Sequence, residues 1–168
     1  RLGLLMAIRL LITGGTFDKV YDELHGRLYF EDTHVPEMLE RGRCGLDIEL
    51  RTVMMVDSLE MTDDDRQLIL ANCKRTEERQ IVITHGTDTM VETAAILAKG
   101  LEGTDKTVVL TGAMIPFAFG SSDGLFNLGS ALSFVQVLPA GVYVAMNGKV
   151  FAWDCVRKNR DRGVFEAV

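Results

Sequence analysis

Apolar positions along the chain fall into two patterns that alternate. Continuous aliphatic runs of strand length recur at Leu10-Leu11-Ile12, Ile81-Val82-Ile83 and Val108-Val109-Leu110. Each stops at a threonine and a small turn: Thr13-Gly14-Gly15-Thr16, Thr84-His85-Gly86-Thr87 and Thr111-Gly112-Ala113-Met114. Runs without polar alternation suit strands buried on both faces, as in a parallel sheet. Ile48 to Val56 reads as a further strand that closes at Asp57-Ser58.

Amphipathic stretches lie between these runs. Segment 62–76 opens with Thr62-Asp63-Asp64-Asp65, a cap and acids suited to a helix N-terminus. Leu68, Ile69, Leu70, Ala71 and Cys73 form its expected core stripe. Segment 88–99 takes Asp88 as cap candidate and Gly100 as stop. Segment 124–138 reads as a third helix, with Ser121-Ser122-Asp123-Gly124 as its cap. Asn147-Gly148, between the apolar runs 142–146 and 149–153, is a hairpin signal. Strands alternating with helices predict an α/β fold: an open, mostly parallel sheet with helices on both faces. The threonine-bearing strand ends would share one rim, where such sheets bind ligands. Residues 17–46, with Gly26, Pro36, Gly42 and Gly45, carry the weakest regular pattern and read as including a mobile loop.

The 168 residues fit one domain. The opening RLGLLMAIRLLIT has some leader character, but Arg9 interrupts it and no small-residue cleavage site follows. It reads better as the first core strand, with Met6 as a candidate natural start. No run approaches the ~18 apolar residues that span a bilayer. With 18 Lys and Arg against 24 Asp and Glu, the net charge is −6, which lacks the footprint of a nucleic-acid binder. Cys44, Cys73 and Cys155 are too few and scattered for a disulfide framework, so reduced thiols and a cytoplasmic location are expected. A small-molecule ligand, without nucleic acid or membrane, is the expected partner.

Several chemistries lose support at once. The chain has no G-x-x-x-x-G-K-[ST], no G-x-G-x-x-G and no G-x-S-x-G. His25, His34 and His85 share no ligand spacing with one another or with the cysteines, so no metal site is expected, nor any cofactor. The strand ends remain. Gly14-Gly15-Thr16 reads either as a plain strand-to-helix turn or as a ligand cradle that projects a hydroxyl. Thr87 and Asp88 sit where a strand hands over to a helix, so Asp88 is either a cap or a group that holds a ligand's ammonium. After the hairpin, Asp154-Cys155-Val156-Arg157-Lys158-Asn159 supplies basic residues that are either surface charges or, beside Thr87 and Asp88, a proton acceptor.

Together these segments resemble the bacterial-type asparaginase/glutaminase family. The resemblance rests on the strand-TGGT opening, the DS-x-x-M-T segment, THGTDTM-x-ETA, TGAM-x-P with SSDG-x-x-N-L, and the closing D-x-x-[KR]-x-N, in that order over nearly the whole chain. It implies an asparaginase N-terminal-type catalytic domain over residues 1–168, without the family's C-terminal domain. It further implies hydrolysis of L-asparagine to L-aspartate and ammonia, with another small amide such as L-glutamine as the alternative substrate. By the same resemblance Thr16 is the nucleophile, with Tyr21 beside it on a lid and Tyr29 in reserve. Thr87, Asp88 and Lys158 form a second catalytic constellation. Gly15, Asp57, Ser58, Gly86, Asp88 and Ala113 fall where the family holds substrate, Asp57 and Ser58 at the α-carboxylate and Asp88 at the α-ammonium. A homodimer or larger homo-oligomer is the implied assembly. Strict alignment puts Arg157 at the family's lysine position, but arginine does not deprotonate, which favours Lys158 through a one-residue shift. Leu59 departs from a position that is often polar, and Glu60 is the candidate to compensate. A non-catalytic amino-acid-binding module on the same scaffold is the competing reading.

Overall fold

The computed structural model describes residues 7–168, so the candidate start at Met6 lies outside the described residues. The chain forms β1 (Ile8–Gly14), a hairpin of β2 (Lys19–Asp22) and β3 (Arg27–Phe30), α1 (Val35–Arg41) and β4 (Ile48–Val56). It continues through α2 (Asp63–Arg75), β5 (Gln80–Thr84), α3 (Met90–Gly100), β6 (Thr107–Thr111) and α4 (Gly124–Val135). Two hairpins follow, β7 (Gly141–Met146) with β8 (Lys149–Ala152), and β9 (Val156–Asn159) with β10 (Val164–Ala167).

The main sheet has six strands in the order β4-β1-β5-β6-β7-β8. All its pairings are parallel except that of β7 with β8. The unalternated aliphatic runs are buried on both faces. Leu11, Ile81, Ile83, Val108 and Leu110 pack with α2 and α3 through Ile69, Cys73, Met90, Ala94 and Leu97. Ile8, Leu10, Ile12, Val82 and Val109 pack with α1 and α4 through Val35, Met38, Leu128 and Ala131. This is the expected α/β architecture, with helices on both faces.

Local rules account for the elements. Thr62 accepts the Asp65 backbone N–H while the Asp65 carboxylate accepts that of Thr62, a reciprocal capping box that starts α2. Asn147 and Gly148 both have positive φ, 59° and 76°, as a two-residue hairpin turn requires. Arg9, which breaks the apolar run of β1, is satisfied at the sheet's amino end by Glu78 at 2.9 Å. Burial alone would raise the Glu78 carboxyl, but hydrogen bonds from Thr76 and Arg9 outweigh it and hold it at about 2.

Five readings need correction. In α2 the buried apolar side chains are Ile69, Leu70 and Cys73, whereas Leu68 is exposed and so is Ala71, because consecutive residues 100° apart cannot all face one core. The third amphipathic segment forms helix only to Val135, and β8 stops at Ala152. The helix after β5 starts at Met90, with Thr89 rather than Asp88 as its cap residue. Residues 17–46 are more regular than their sequence: they hold the β2–β3 hairpin and α1, whose first turn accepts Pro36 because N–H groups there are unpaired anyway.

Strand order sets the site. From β1 the chain passes to β4 on one side, and from β4 it returns to β5 on the other. Chain direction therefore diverges between β1 and β5, and the rim beyond their carboxyl ends is where such sheets bind ligands.

Candidate active site

The turns after β1, β4 and β5 meet at that rim in backbone contact. A Cβ on Gly15, whose φ is 82°, would lie 2.4 Å from the Gly86 nitrogen. One on Gly86 would lie 2.5 Å from the Ser58 Oγ. Only glycine permits such an approach, and this explains both glycines before the threonines. The Gly15 N–H is already used, donating to the Val56 carbonyl at 3.1 Å. Ser58 is buried, and its carbonyl accepts the Thr89 hydroxyl at 2.8 Å. Thr16 is half-buried and opens a single 3₁₀ turn, Thr16–Asp18.

Asp18 anchors this turn from below. Its fully buried carboxylate accepts the Thr33 hydroxyl at 3.0 Å and the His34 backbone N–H at 2.7 Å. Burial raises its pKa, and these hydrogen bonds offset the rise only in part. Residues on either side of the β2–β3 hairpin are thereby tied together at its base. Above the base, the Lys19 ammonium pairs with Asp57 and lies 5.6 Å from the Phe30 ring centroid. Burial would raise the Asp57 carboxyl, but the Lys19 and Leu59 N–H hydrogen bonds and the Lys19 charge hold it below its ordinary value.

The β2–β3 pairing separates the two tyrosine candidates. Lys19 opposes Phe30 and Tyr21 opposes Leu28, so Tyr21 shares the ribbon face of Lys19. Tyr29 opposes Val20 on the other face, and its hydroxyl donates to Glu31 at 2.7 Å. Tyr21 is half-exposed and packs edge-on against Phe119 at 6.5 Å between ring centroids.

On the β5 side, four groups converge. Lys158 Nζ donates to Thr87 Oγ1 at 2.8 Å and to Asp88 Oδ1 at 2.9 Å. Its side chain is only 11% exposed. Arg160 Nη1 donates to the same Asp88 oxygen at 2.8 Å, and its Nη2 to the Asp88 carbonyl at 3.3 Å. Asp88 is therefore engaged by two cations and does not cap α3. Arg157 points the other way and pairs with Glu166 at 2.8 Å. Alternation along β9 decides the matter: Val156 and Lys158 face inward, and Arg157 faces out.

The hairpin that carries Lys158 is aimed by a chain of asparagines. Asn127 on α4 donates to the Gly112 carbonyl at 2.9 Å and accepts the Asn147 N–H at 3.2 Å. The Asn147 side-chain oxygen then accepts the Phe165 N–H on β10 at 3.2 Å. Asp123 does not cap α4 with its side chain; its carboxylate accepts the N–H groups of Met114 and Ile115 at 2.9 and 3.0 Å. This fixes the turn after the buried Ala113. Leu59 is 65% exposed, and the neighbouring Glu60 is exposed as well.

His85 holds the β5 turn from inside. Its Nδ1 lies 2.7 Å from the Gly86 carbonyl, which can only accept, so Nδ1 carries the proton. Nε2 then accepts the Thr93 hydroxyl at 2.8 Å, and Thr93 accepts Arg66 Nε at 3.2 Å. Burial, opposed in part by the Gly86 hydrogen bond, lowers the His85 pKa from 6.5 to about 4. Between those values the unfolded chain binds the proton and the folded chain does not. Stability is therefore complete above pH 6.5 and falls as pH drops toward 4. The expected loss from His85 is about 3 kcal/mol. Urea unfolding at neutral and acidic pH should show it, and His85→Asn should flatten that dependence while lowering stability at neutral pH.

Among the described residues no helix is long and apolar enough to cross a membrane, and no group of three His, Cys, Asp or Glu side chains converges as a metal site. Lys19, Arg160, Asp123 and Asn127 are site residues that sequence reasoning missed. Their contacts run between distant segments, and only Asp123 and Asn127 lay within a motif already singled out.

Comparison with known proteins places this arrangement. A family description, Asparaginase, N-terminal, matches residues 7–165. The L-asparaginase of Thermococcus kodakarensis is 32% identical over 162 residues, covering 95% of this chain and 49% of that protein. L-asparaginase 1 of Escherichia coli K12 is 36% identical over 133 residues, covering 75% of this chain and 39% of that protein. The solved structure of the Thermococcus kodakarensis enzyme superposes with a TM-score of 0.86 at 30% identity, covering 97% of this chain and 51% of that one. The chain thus spans about half the length, or less, of these relatives.

Proposed function

The chain belongs to the asparaginase family, and from that premise we propose that it hydrolyses a carboxamide of asparagine size, with L-asparagine giving L-aspartate and ammonia as the reference reaction. One observation carries this reading. Lys158 bridges Thr87 and Asp88 at 2.8 and 2.9 Å, on a rim where the Thr87 turn is in backbone contact with the Thr16 turn. A module that only binds an amino acid has no need of a buried lysine hydrogen-bonded to a second hydroxyl.

In this reading the Thr16 hydroxyl oxygen attacks the amide carbon. The C–N bond breaks, and the proton given up by the hydroxyl reaches the leaving nitrogen, so that ammonia departs. Water then cleaves the resulting ester, which frees the carboxylate and restores the hydroxyl. Thr87 accepts a hydrogen bond from Lys158, and its own proton, which rests on the weak acceptor Met114 Sδ at 3.7 Å, can turn toward the reacting amide. Asp88 holds Lys158 in place. Tyr21 rather than Tyr29 is the lid tyrosine, because it shares a ribbon face with Lys19, which reaches the rim at Asp57. Gly15, Gly86 and Ala113 supply the close backbone walls, and Ser58 and the Lys19 cation held by Asp57 the substrate-carboxylate end.

The test is a coupled ammonia assay with L-asparagine and L-glutamine, run beside calorimetric titration of L-aspartate. Ammonia release from either amide supports the proposal. Aspartate binding with no ammonia at high protein concentration would instead support a binding module.

A further inference from the structure

The two carboxylates of the rim are already engaged by cations of this chain. Asp57 pairs with Lys19, and Asp88 with both Lys158 and Arg160. Three cations therefore face two carboxylates. Lys158 has a further contact in Thr87, and Lys19 in the Phe30 ring. Arg160 is different. It is 62% exposed and its contacts on Asp88 are the Oδ1 and the carbonyl oxygen. It places a permanent charge, from the solvent side, on the carboxylate that the proposed reading assigns to an α-ammonium group.

We infer that Arg160 is a specificity-determining residue that biases this site against a substrate's α-ammonium and toward a small ω-amide bearing a carboxylate without one, such as succinamate. The inference rests on the reading of the rim as an amide-hydrolysis site and names its substrate class. An α-ammonium would bring a third positive charge onto Asp88 or would have to displace Arg160. An acid lacking the ammonium meets neither obstacle, and its carboxylate gains from the surplus positive charge. Discrimination here comes from a repulsive element rather than from an added contact.

The experiment uses the full chain and its Arg160→Ala and Arg160→Lys variants. Calorimetry gives Kd for succinate and for L-aspartate, and ammonia release is followed from succinamate and from L-asparagine. Arg160 is exposed, so the variants should fold as the parent does. The expected result is that the succinate-to-aspartate affinity ratio falls about fivefold in Arg160→Ala, the scale of an exposed ion pair, and is kept in Arg160→Lys. A ratio unmoved by Arg160→Ala overturns the inference, and so does failure of both ligands to bind at millimolar concentration. Ammonia release with an unmoved ratio leaves the amide-hydrolysis reading standing and removes this one. A shifted ratio without ammonia from any amide overturns the amide-hydrolysis reading and the substrate class with it.

Discussion

Thr16→Ala is expected to lower ammonia release from L-asparagine by about three orders of magnitude or more, the scale on which loss of an attacking group is felt. The substitution removes the hydroxyl and one methyl from a half-buried position. The turn itself is held by other atoms: the Gly15 N–H on Val56, and the Asp18 carboxylate on Thr33 and His34. Unfolding midpoints and L-aspartate binding should therefore change little while kcat collapses. Thr16→Ser, which keeps the oxygen, should retain part of the rate. If Thr16→Ala turned over at more than a few per cent of the parent, the hydroxyl would not be the attacking group, even though the family would stand.

The second large effect is expected at Lys158. Lys158→Met keeps the length of the side chain but deletes its hydrogen bonds to Thr87 and Asp88. A fall in kcat of about a hundredfold to a thousandfold should follow, the range for loss of a positioned proton-transfer group. Arg160 remains on Asp88, so that carboxylate keeps a cation and the fold keeps its charge balance at that point. Arg157→Met is the matched control, because its partner is Glu166 on the outer face. It should change kcat less than about twofold, as surface substitutions usually do. Equal losses at 157 and 158 would mean that the inner and outer faces of β9 are misassigned.

The contrast between these neighbours shows what could be read before any coordinates. In Val156-Arg157-Lys158-Asn159, period-two alternation with an apolar Val156 facing inward puts Lys158 inward as well. That signal was present in the sequence, and it agrees with the chemical argument from arginine. The sheet was legible for a related reason: Leu10-Leu11-Ile12 and Ile81-Val82-Ile83 are buried on both faces and tolerate no polar interruption. Lys19 and Arg160 were not legible. A surface charge becomes a site residue only through a partner 38 or 72 positions away, which leaves no local pattern. The hairpin of residues 19–30 was missed because its strands are only four residues long and carry no clean alternation, and its stability depends on contacts with Asp57 and Phe119. Asp88 stayed open between cap and ligand group for a different reason. A carboxylate at a strand-to-helix junction suits both roles, and Lys158 and Arg160 claim it.

The clamp at Asp18 carries a consequence of its own. Because one inward-facing carboxylate joins the chain just before β2 to the chain just after β3, everything from residue 19 to residue 32 leaves and returns through a single fastened collar. A flap built this way can swing, lengthen or be exchanged for another sequence without dragging the neighbouring threonine off its mark. Such modularity lets a lineage retool which molecules reach the rim while the threonine turn underneath stays put.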